Sequence, residues 1–212
     1  MNQQHEYIGT RKLLIGIVLA VITFWLFANS LINVIPNLQT SFGSYLSTIS
    51  IAVSLTALFC GMFVVGAGSL ADYFGRVRLT IIGLWLNIFG SLLIIVSDYI
   101  PLLLMGRAIQ GLSAALIMPA TLSLIKAYYH GDKRQRALSF WSIGSWGGSG
   151  FASLFGGMIA TFLSWRWIFV FSIIVSLIAV LLIKGTPESK NQHASSRQFD
   201  IVGLILLVVM ML

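Results

Sequence analysis

The sequence predicts an all-α protein that crosses a membrane several times. Three observations support this prediction: a composition suited to lipid, apolar runs of membrane-spanning length, and basic residues concentrated in alternate loops. Of the 212 residues, 58% are hydrophobic and only 9% are charged, and the mean hydropathy is +0.93. A soluble domain carries about 25% charged residues. We therefore expect most of the chain to lie in a bilayer.

Six apolar runs approach the length of about 20 residues that a transmembrane helix needs. They cover residues 13–35, 46–71, 79–97, 100–125, 137–160 and 167–183. A seventh run begins near residue 201 and reaches Leu212 after about a dozen residues, which is too few to cross a bilayer. The chain is therefore expected to be the first half of a longer protein whose further helices complete it. We predict the following division: a cytoplasmic N-terminus at 1–12, a six-helix bundle at 13–185, a cytoplasmic linker at 186–199 and the start of a seventh helix at 200–212.

The basic residues predict the orientation of these helices. Eleven of the thirteen Lys and Arg residues fall before the first run or after the second, fourth and sixth runs. Only Arg166 lies on the opposite side, and Arg107 lies within a run. Because basic loops stay in the cytoplasm, the N-terminus is expected to be cytoplasmic. The net charge of +7 is then a signal of topology, and we predict no nucleic-acid partner.

The sequence offers little to a catalyst or a metal ion. Cys60 is the only cysteine, and the three histidines are scattered at His5, His130 and His193. No phosphate-binding loop or nucleophile–base set is recognisable in the sequence. We predict that the protein is not an enzyme and holds no metal or cofactor.

A short polar turn separates the second and third runs and includes Gly68, Asp72, Gly75 and Arg76. It resembles the loop motif Gly-x-x-x-Asp-(Arg/Lys)-x-Gly-(Arg/Lys) of the major facilitator superfamily of transporters, although Tyr73 and Val77 stand where basic residues are more usual. The resemblance implies a conformational latch, in which the aspartate caps a helix of the opposite half of the transporter. The alternative is an ordinary solvated pair of charges.

Arg107 lies within the fourth run, about 10 Å into a hydrocarbon core of about 30 Å. Because an intramembrane arginine costs at least ~2.5 kcal/mol, it is expected to face a cavity or a partner. Gln110 and Met118 continue a polar or small-residue stripe suited to a wet cleft. The segment resembles the Leu-x-x-x-Arg-x-x-Gln-Gly motif of proton-coupled members of the same superfamily, which implies a proton-coupling role. The alternative is an arginine that only anchors the helix at the interface.

Small residues recur along the fifth run, where Gly144, Gly148 and Gly156 lie on one helical face. Such a face allows another helix to pack closely, and close packing alone is one interpretation. Together with Gly157, the stretch also resembles the Gly-x-x-x-Gly-Pro-x-x-Gly-Gly motif of drug antiporters. Ala152 and Ser153 replace its Gly-Pro pair.

The first run places Trp25, Asn29 and Asn33 at intervals of four residues. This face is predicted either to pack against another helix or to line a substrate cavity, because buried amides need partners. We assign it to the cavity together with Trp146 and with Gln110 and Met118. The spans contain no carboxylate, so a proton-binding acid is expected in the missing half or near Asp98.

Two further segments narrow the resemblance to the fourteen-helix drug:proton antiporters. They are Trp165-Arg166-Trp167, before the sixth run, and Phe199-Asp200-x-x-Gly203, at the start of the seventh. The resemblance implies a proton-coupled multidrug efflux antiporter of a bacterial plasma membrane that exports amphipathic or cationic drugs by alternating access. Its partners would be drugs, protons, the lipid bilayer and the missing C-terminal helices. The alternatives are a proton-coupled importer of a small polar nutrient and a six-span channel or scaffold subunit.

Overall fold

A computed structural model describes residues 7–189 and residue 210 of the chain. The described residues form helices joined by short connections, and none of them lies in a strand. We number six helices in chain order: α1 Arg11–Phe42, α2 Leu46–Phe74, α3 Arg76–Ile95, α4 Ile100–Tyr128, α5 131–162 and α6 Arg166–Ile183. The predicted motif at 199–203 and most of the predicted linker lie outside the described residues.

The helices confirm the predicted all-α membrane fold. By length and composition, α1, α2, α3, α4 and α6 can each cross a bilayer. Helix α5 is less apolar because its first three turns carry four charged residues and its centre is rich in glycine and serine. Large apolar side chains cover much of the outer surface, as a lipid-facing protein requires, and Phe162 and Trp146 are 80% and 75% exposed. The chain thus forms a multi-pass membrane protein.

The helices alternate in direction, which places their ends at two opposite faces. At one face the Gly9 amide donates to the Tyr128 carbonyl (2.8 Å), and the Arg76 amide donates to the Ser189 carbonyl (3.1 Å). We call this face the basic end. Its helix ends and loops contain the Lys and Arg residues that the sequence predicts to be cytoplasmic, as far as the structure describes them. At the other face Trp165 Nε1 donates to Ser41 Oγ (3.1 Å), so the ends of α1 and α6 meet there.

Helix α4 packs between α2 and α3, while α1 packs between α5 and α6. Contacts of α3 with α6 and of α1 with α4 join these two layers into one bundle. Glycines permit the close approaches: a Cβ at Gly106 of α4 would lie 2.9 Å from the Gly90 carbonyl of α3. Such contact is the main source of helix association in lipid, where burial of apolar surface contributes little.

Candidate functional site

Arg107 is one of the most deeply buried side chains of the bundle, at 2% exposure. Its Nε donates to the Ala52 carbonyl of α2 (3.1 Å), and its Nη2 donates to the carbonyls of Val53 (3.2 Å) and Ala28 (3.4 Å). Its Nη1 donates to Gln110 Oε1 (3.0 Å). The guanidinium of α4 therefore ties α1 and α2 together through their backbones.

These four hydrogen bonds explain how the bundle tolerates the charge. A hydrogen bond to a charged group contributes about 1.5–3 kcal/mol, so several of them offset an insertion cost of at least ~2.5 kcal/mol. Arg107 has no carboxylate partner in the described part of the chain. The positive charge is therefore solvated by backbone and amide dipoles, without a counter-ion.

Gln110 connects Arg107 to the next helix. While its Oε1 accepts from Arg107, its Nε2 donates to Ser91 Oγ of α3 (3.0 Å). Gln110 is 2% exposed, whereas Met118 is half-buried. The sequence predicted that this stripe faces a wet cleft, but the structure places Gln110 between α3 and α4, because its two polar atoms find partners there. A contact of Gln110 or Met118 with substrate stays a prediction.

Two tryptophans lie together beside this centre, each in a π-helical segment. Trp25 lies in the π segment Thr23–Ala28 of α1, and Trp146 lies in the π segment Ile143–Gly147 of α5. Their rings stack with centroids 6.2 Å apart and planes at 23°. The Trp25 Nε1 is buried and has no hydrogen-bond acceptor among the described residues. Because π segments are frequently found at functional sites, the pair marks a candidate ligand contact.

The two asparagines of the predicted cavity face follow Trp25 along α1. Asn29 is half-buried, and Asn33 is exposed in the 3₁₀ segment Leu31–Val34. The Ala28 carbonyl that accepts from Arg107 directly precedes Asn29. The structure therefore brings Trp25 and Trp146 together and places Asn29 next to a partner of the arginine, while it leaves Asn33 exposed at the surface of the described bundle.

The small-residue face of α5 packs on α1, with one exception. A Cβ at Gly144 or Gly148 would lie 3.2 Å from Val18 or Trp25, and one at Gly156 would lie 2.8 Å from the Ser30 carbonyl. Ser30 Oγ donates to the Ala152 carbonyl in the same interface (3.0 Å). At Gly157, by contrast, a Cβ would meet nothing within 4 Å.

At the basic end, Asp72 and Arg76 form an ion pair across the turn between α2 and α3, in which two nitrogens of Arg76 donate to one oxygen of Asp72. Arg76 Nη2 and Nε lie 2.8 and 3.0 Å from Asp72 Oδ1, with side-chain exposures of 17% and 34% for Arg76 and Asp72. Gly75 alone joins the two helices, with φ at +118°, a conformation that other residues rarely adopt. Gly68 lies apart from this pair, where a Cβ would be 3.6 Å from Pro119.

Glu188 also belongs to this cluster, and its contact with the start of α3 was not predicted from the sequence. Its Oε1 and Oε2 accept from the amides of Val77 (2.8 Å) and Arg78 (3.0 Å), which belong to the first turn of α3. A carboxylate at a helix N-terminus is stabilising because the helix dipole is positive there. Ser189 adds to the contact by accepting from Arg76 Nη1 (3.2 Å). The only sequence feature that could have indicated this contact is that Glu188 is a lone acid, after Pro187, in a segment otherwise rich in basic residues.

At the opposite end, Arg166 binds a different loop. Its Nε donates to the Ile95 carbonyl (3.0 Å), and its Nη2 donates to the Ser97 carbonyl (2.9 Å). Asp98 Oδ1 lies 3.4 Å from the same Nη2, and the Asp98 side chain is 89% exposed. Asp98 therefore lies at the surface, in the loop before α4. Its role as the proton-binding acid stays a prediction.

Residues 7–189 contain no evident metal-binding cluster. Histidine, cysteine and carboxylate side chains do not gather there in groups of three or more that could hold a metal ion.

The pattern of helices and buried charge agrees with a known family. The family model described as Major Facilitator Superfamily matches residues 13–210. The chain belongs to the major facilitator superfamily. The family resemblance of the Asp72 turn and of the Arg107 segment is thereby confirmed, while the roles of the individual residues stay predictions.

Curated relatives and solved structures agree with this membership. The quinolone resistance protein NorB of Staphylococcus aureus, strains JH9 and Newman, is 68% identical over 204 residues, which cover 96% of this chain and 44% of the relative. The chain thus spans less than half the length of the curated relatives it matches. A D-xylose-proton symporter shares the fold with a TM-score of 0.73 at 17% identity, over 84% of this chain and 48% of the symporter. The peptide transporter POT gives 0.72 at 16% identity, over 94% and 44% of the respective chains.

Proposed function

We propose that this chain forms the N-terminal helical half of a proton-coupled multidrug efflux antiporter. The observation that supports this most strongly is the 68% identity to a quinolone resistance protein. Quinolones are therefore among the proposed substrates, with other amphipathic or cationic drugs. The staphylococcal relatives further support a bacterial plasma membrane, and the basic end then faces the cytoplasm together with the N-terminus.

Arg107 is proposed to couple protons to transport. Its charge is held only by dipoles, so it can attract a carboxylate supplied by the rest of the transporter. A fixed positive charge nearby lowers the pKa of a carboxylate, and separation of the two raises it again. The acid would take up a proton when the cleft opens to the more acidic side and release it after the cleft changes sides.

The stacked tryptophans are proposed to form the aromatic wall of the drug cavity. An aromatic face attracts a cationic ligand through its quadrupole, and a desolvated contact of this kind contributes about 2 kcal/mol. The unpaired Trp25 Nε1 would offer a hydrogen-bond donor to a drug's carbonyl or carboxylate. The stacking of the two rings and their position in the π segments of α1 and α5 support this proposal.

The turn formed by Gly68, Asp72, Gly75 and Arg76 is proposed to act as the conformational latch. Asp72 Oδ2 accepts no hydrogen bond from the described residues, so this oxygen can meet a helix N-terminus of the second half. Such a contact contributes about 0.3–1 kcal/mol, which is small enough to break in every cycle.

The proposal is tested by following efflux of a fluorescent lipophilic cation and of a quinolone from energised cells that express the complete transporter. Efflux that exceeds the vector control and stops with a protonophore supports proton-coupled export. Uptake of a polar nutrient instead, or a flux that follows only the substrate gradient, would overturn it in favour of an importer or a channel.

A further inference from the structure

A groove opens between α1 and α5 at the basic end. It encloses about 680 Å³. Its apolar wall is formed by Leu14, Ile15 and Val18 of α1 and by Phe140 of α5. Ile15 and Phe140 are 54% and 52% exposed, so this wall is not covered by the described residues.

The groove exists because α5 changes character along its length. From Gly144 onward α5 packs closely on α1, and a Cβ at Gly144 would lie 3.2 Å from Val18. One turn nearer the basic end, the large side chain of Phe140 takes the place of a small residue. Phe140 and Val18 both line the groove there.

Three cations, Arg11, Lys133 and Arg136, stand at the mouth of this groove. All three are exposed, and their side chains form no ion pair or hydrogen bond with the described residues. The neighbouring Arg134 differs, because it donates to the carbonyls of Tyr129 (2.8 Å) and Lys126 (2.9 Å). The mouth therefore presents positive charges that are not neutralised by the described residues.

Tyr129 also lines the groove, and it adds no negative charge. Its hydroxyl donates to the Thr10 carbonyl (2.7 Å). Burial, with a smaller effect of Tyr7, raises the pKa of Tyr129 to about 12. Asp132 follows the same loop but is not among the lining residues. The charge of the mouth thus remains positive near neutral pH.

We propose that this groove binds one anionic phospholipid of the leaflet at the basic end. The phosphate lies among Arg11, Lys133 and Arg136, and one acyl chain follows Leu14, Ile15, Val18 and Phe140 into the bilayer. Basic pockets between helices at the cytoplasmic side of a membrane are suited to anionic headgroups. A free phosphate would leave the apolar wall uncovered, and a cationic drug would be repelled by the mouth.

Native mass spectrometry of the complete transporter in detergent can test this, with phosphatidylglycerol and phosphatidylcholine of the same acyl chains as probes. The test variant combines Arg11→Gln, Lys133→Gln and Arg136→Gln. The matched control removes three exposed cations at the same end but outside the groove, with Lys12→Gln, Arg78→Gln and Lys184→Gln. Both variants lose the same formal charge.

The wild type should bind phosphatidylglycerol more tightly than phosphatidylcholine. Since each basic residue near a membrane contributes about 1 kcal/mol, the groove variant should weaken phosphatidylglycerol binding by on the order of 100-fold. The control should weaken it by less than about tenfold, because exposed charges outside a pocket act mainly through screened long-range attraction. Equal losses in the two variants, or equal affinity for the two lipids, would refute the proposal.

A second variant tests the acyl part of the site. Ile15→Trp fills the apolar wall and keeps the cations, so it should also reduce phosphatidylglycerol binding. If this variant binds like wild type, or if inorganic phosphate displaces the lipid, the mouth is a simple anion site. If the wild type retains no lipid at all, another helix of the complete transporter covers the groove. Either result overturns the assignment.

Discussion

Arg107 and Arg76 show two ways in which the charge of an arginine is stabilised in the same bundle. Arg76 lies at the basic end, binds the carboxylate of Asp72 and is partly exposed. Arg107 is buried and binds three backbone carbonyls and one amide oxygen. The first charge is neutralised by a neighbour four residues away, whereas the second is only solvated. We therefore expect an added negative charge to act more strongly on Arg107 than on Arg76, which already has a carboxylate partner.

The largest effect is expected from changes at the buried arginine. Arg107→Ala removes four hydrogen bonds and leaves their acceptors buried, so it should destabilise the protein by about 2–4 kcal/mol and reduce drug efflux to the background level. Arg107→Lys keeps the charge but loses the planar fork of donors, and should retain only part of the activity. Efflux assays together with thermal unfolding in detergent measure both effects. An Arg107→Ala variant that folds, binds drug and exports it normally would remove the distinction between the two arginines.

A second change disturbs the surroundings of Arg107 without altering any charge. A Cβ at Gly156 would approach the Ser30 carbonyl of α1, so Gly156→Ala should separate α1 from α5 and cost about 1–3 kcal/mol. Gly157→Ala is the matched control, because nothing lies within 4 Å of its Cβ position, and it should change stability by less than about 0.5 kcal/mol. Thermal unfolding of the two variants measures the difference. Equal stability would show that the small-residue face does not set the spacing of α1 and α5.

These positions show what could be predicted from the sequence. The all-helical membrane fold was predicted correctly, because apolar run length is a property of the chain itself. The sequence also placed Arg107 within an apolar run, but it predicted a wet cleft there, whereas the side chain is buried in the described bundle. The partners of Arg107 were not identified, since backbone carbonyls exist at every residue and have no sequence signal. The π segments around Trp25 and Trp146 were also missed, because they depend on the packing of two helices against each other.

Long-range contacts account for the other omissions. Glu188 reaches Val77, 111 positions earlier in the chain, and no periodic pattern links the two. Asn87 Nδ2 likewise donates to Ser172 Oγ (2.9 Å) and Ser176 Oγ (2.8 Å), which ties α3 to α6. Such pairs form only through tertiary packing, so the local sequence contains no signal for them.

A smaller effect on stability is expected at the basic end. Asp72→Asn breaks a partly exposed ion pair, so it should change the free energy of unfolding by only ~0–1 kcal/mol. Transport should nevertheless fall several-fold if Asp72 also holds the second half of the transporter in one state of the cycle. Efflux and surface expression measured side by side separate these effects. Unchanged efflux would reduce the turn to an ordinary solvated pair.

The smallest effect is expected at Glu188. Glu188→Gln removes the negative charge from the start of α3 and should weaken the first turn by about 0.3–1 kcal/mol. The amides of Val77 and Arg78 should then exchange with deuterium about two- to fivefold faster, while those at the centre of α3 keep their rates. Unchanged exchange at both amides would show that the carboxylate does not cap the helix in solution.

The most direct test of the coupling role of Arg107 is drug-induced proton release from the complete transporter in proteoliposomes, compared with equilibrium drug binding in detergent. If Arg107 couples protons to transport, the wild type exchanges protons for drug, whereas Arg107→Ala still binds drug but releases no protons. If Arg107→Ala exchanges protons for drug at nearly the wild-type rate, the buried arginine serves packing alone and the coupling account is wrong.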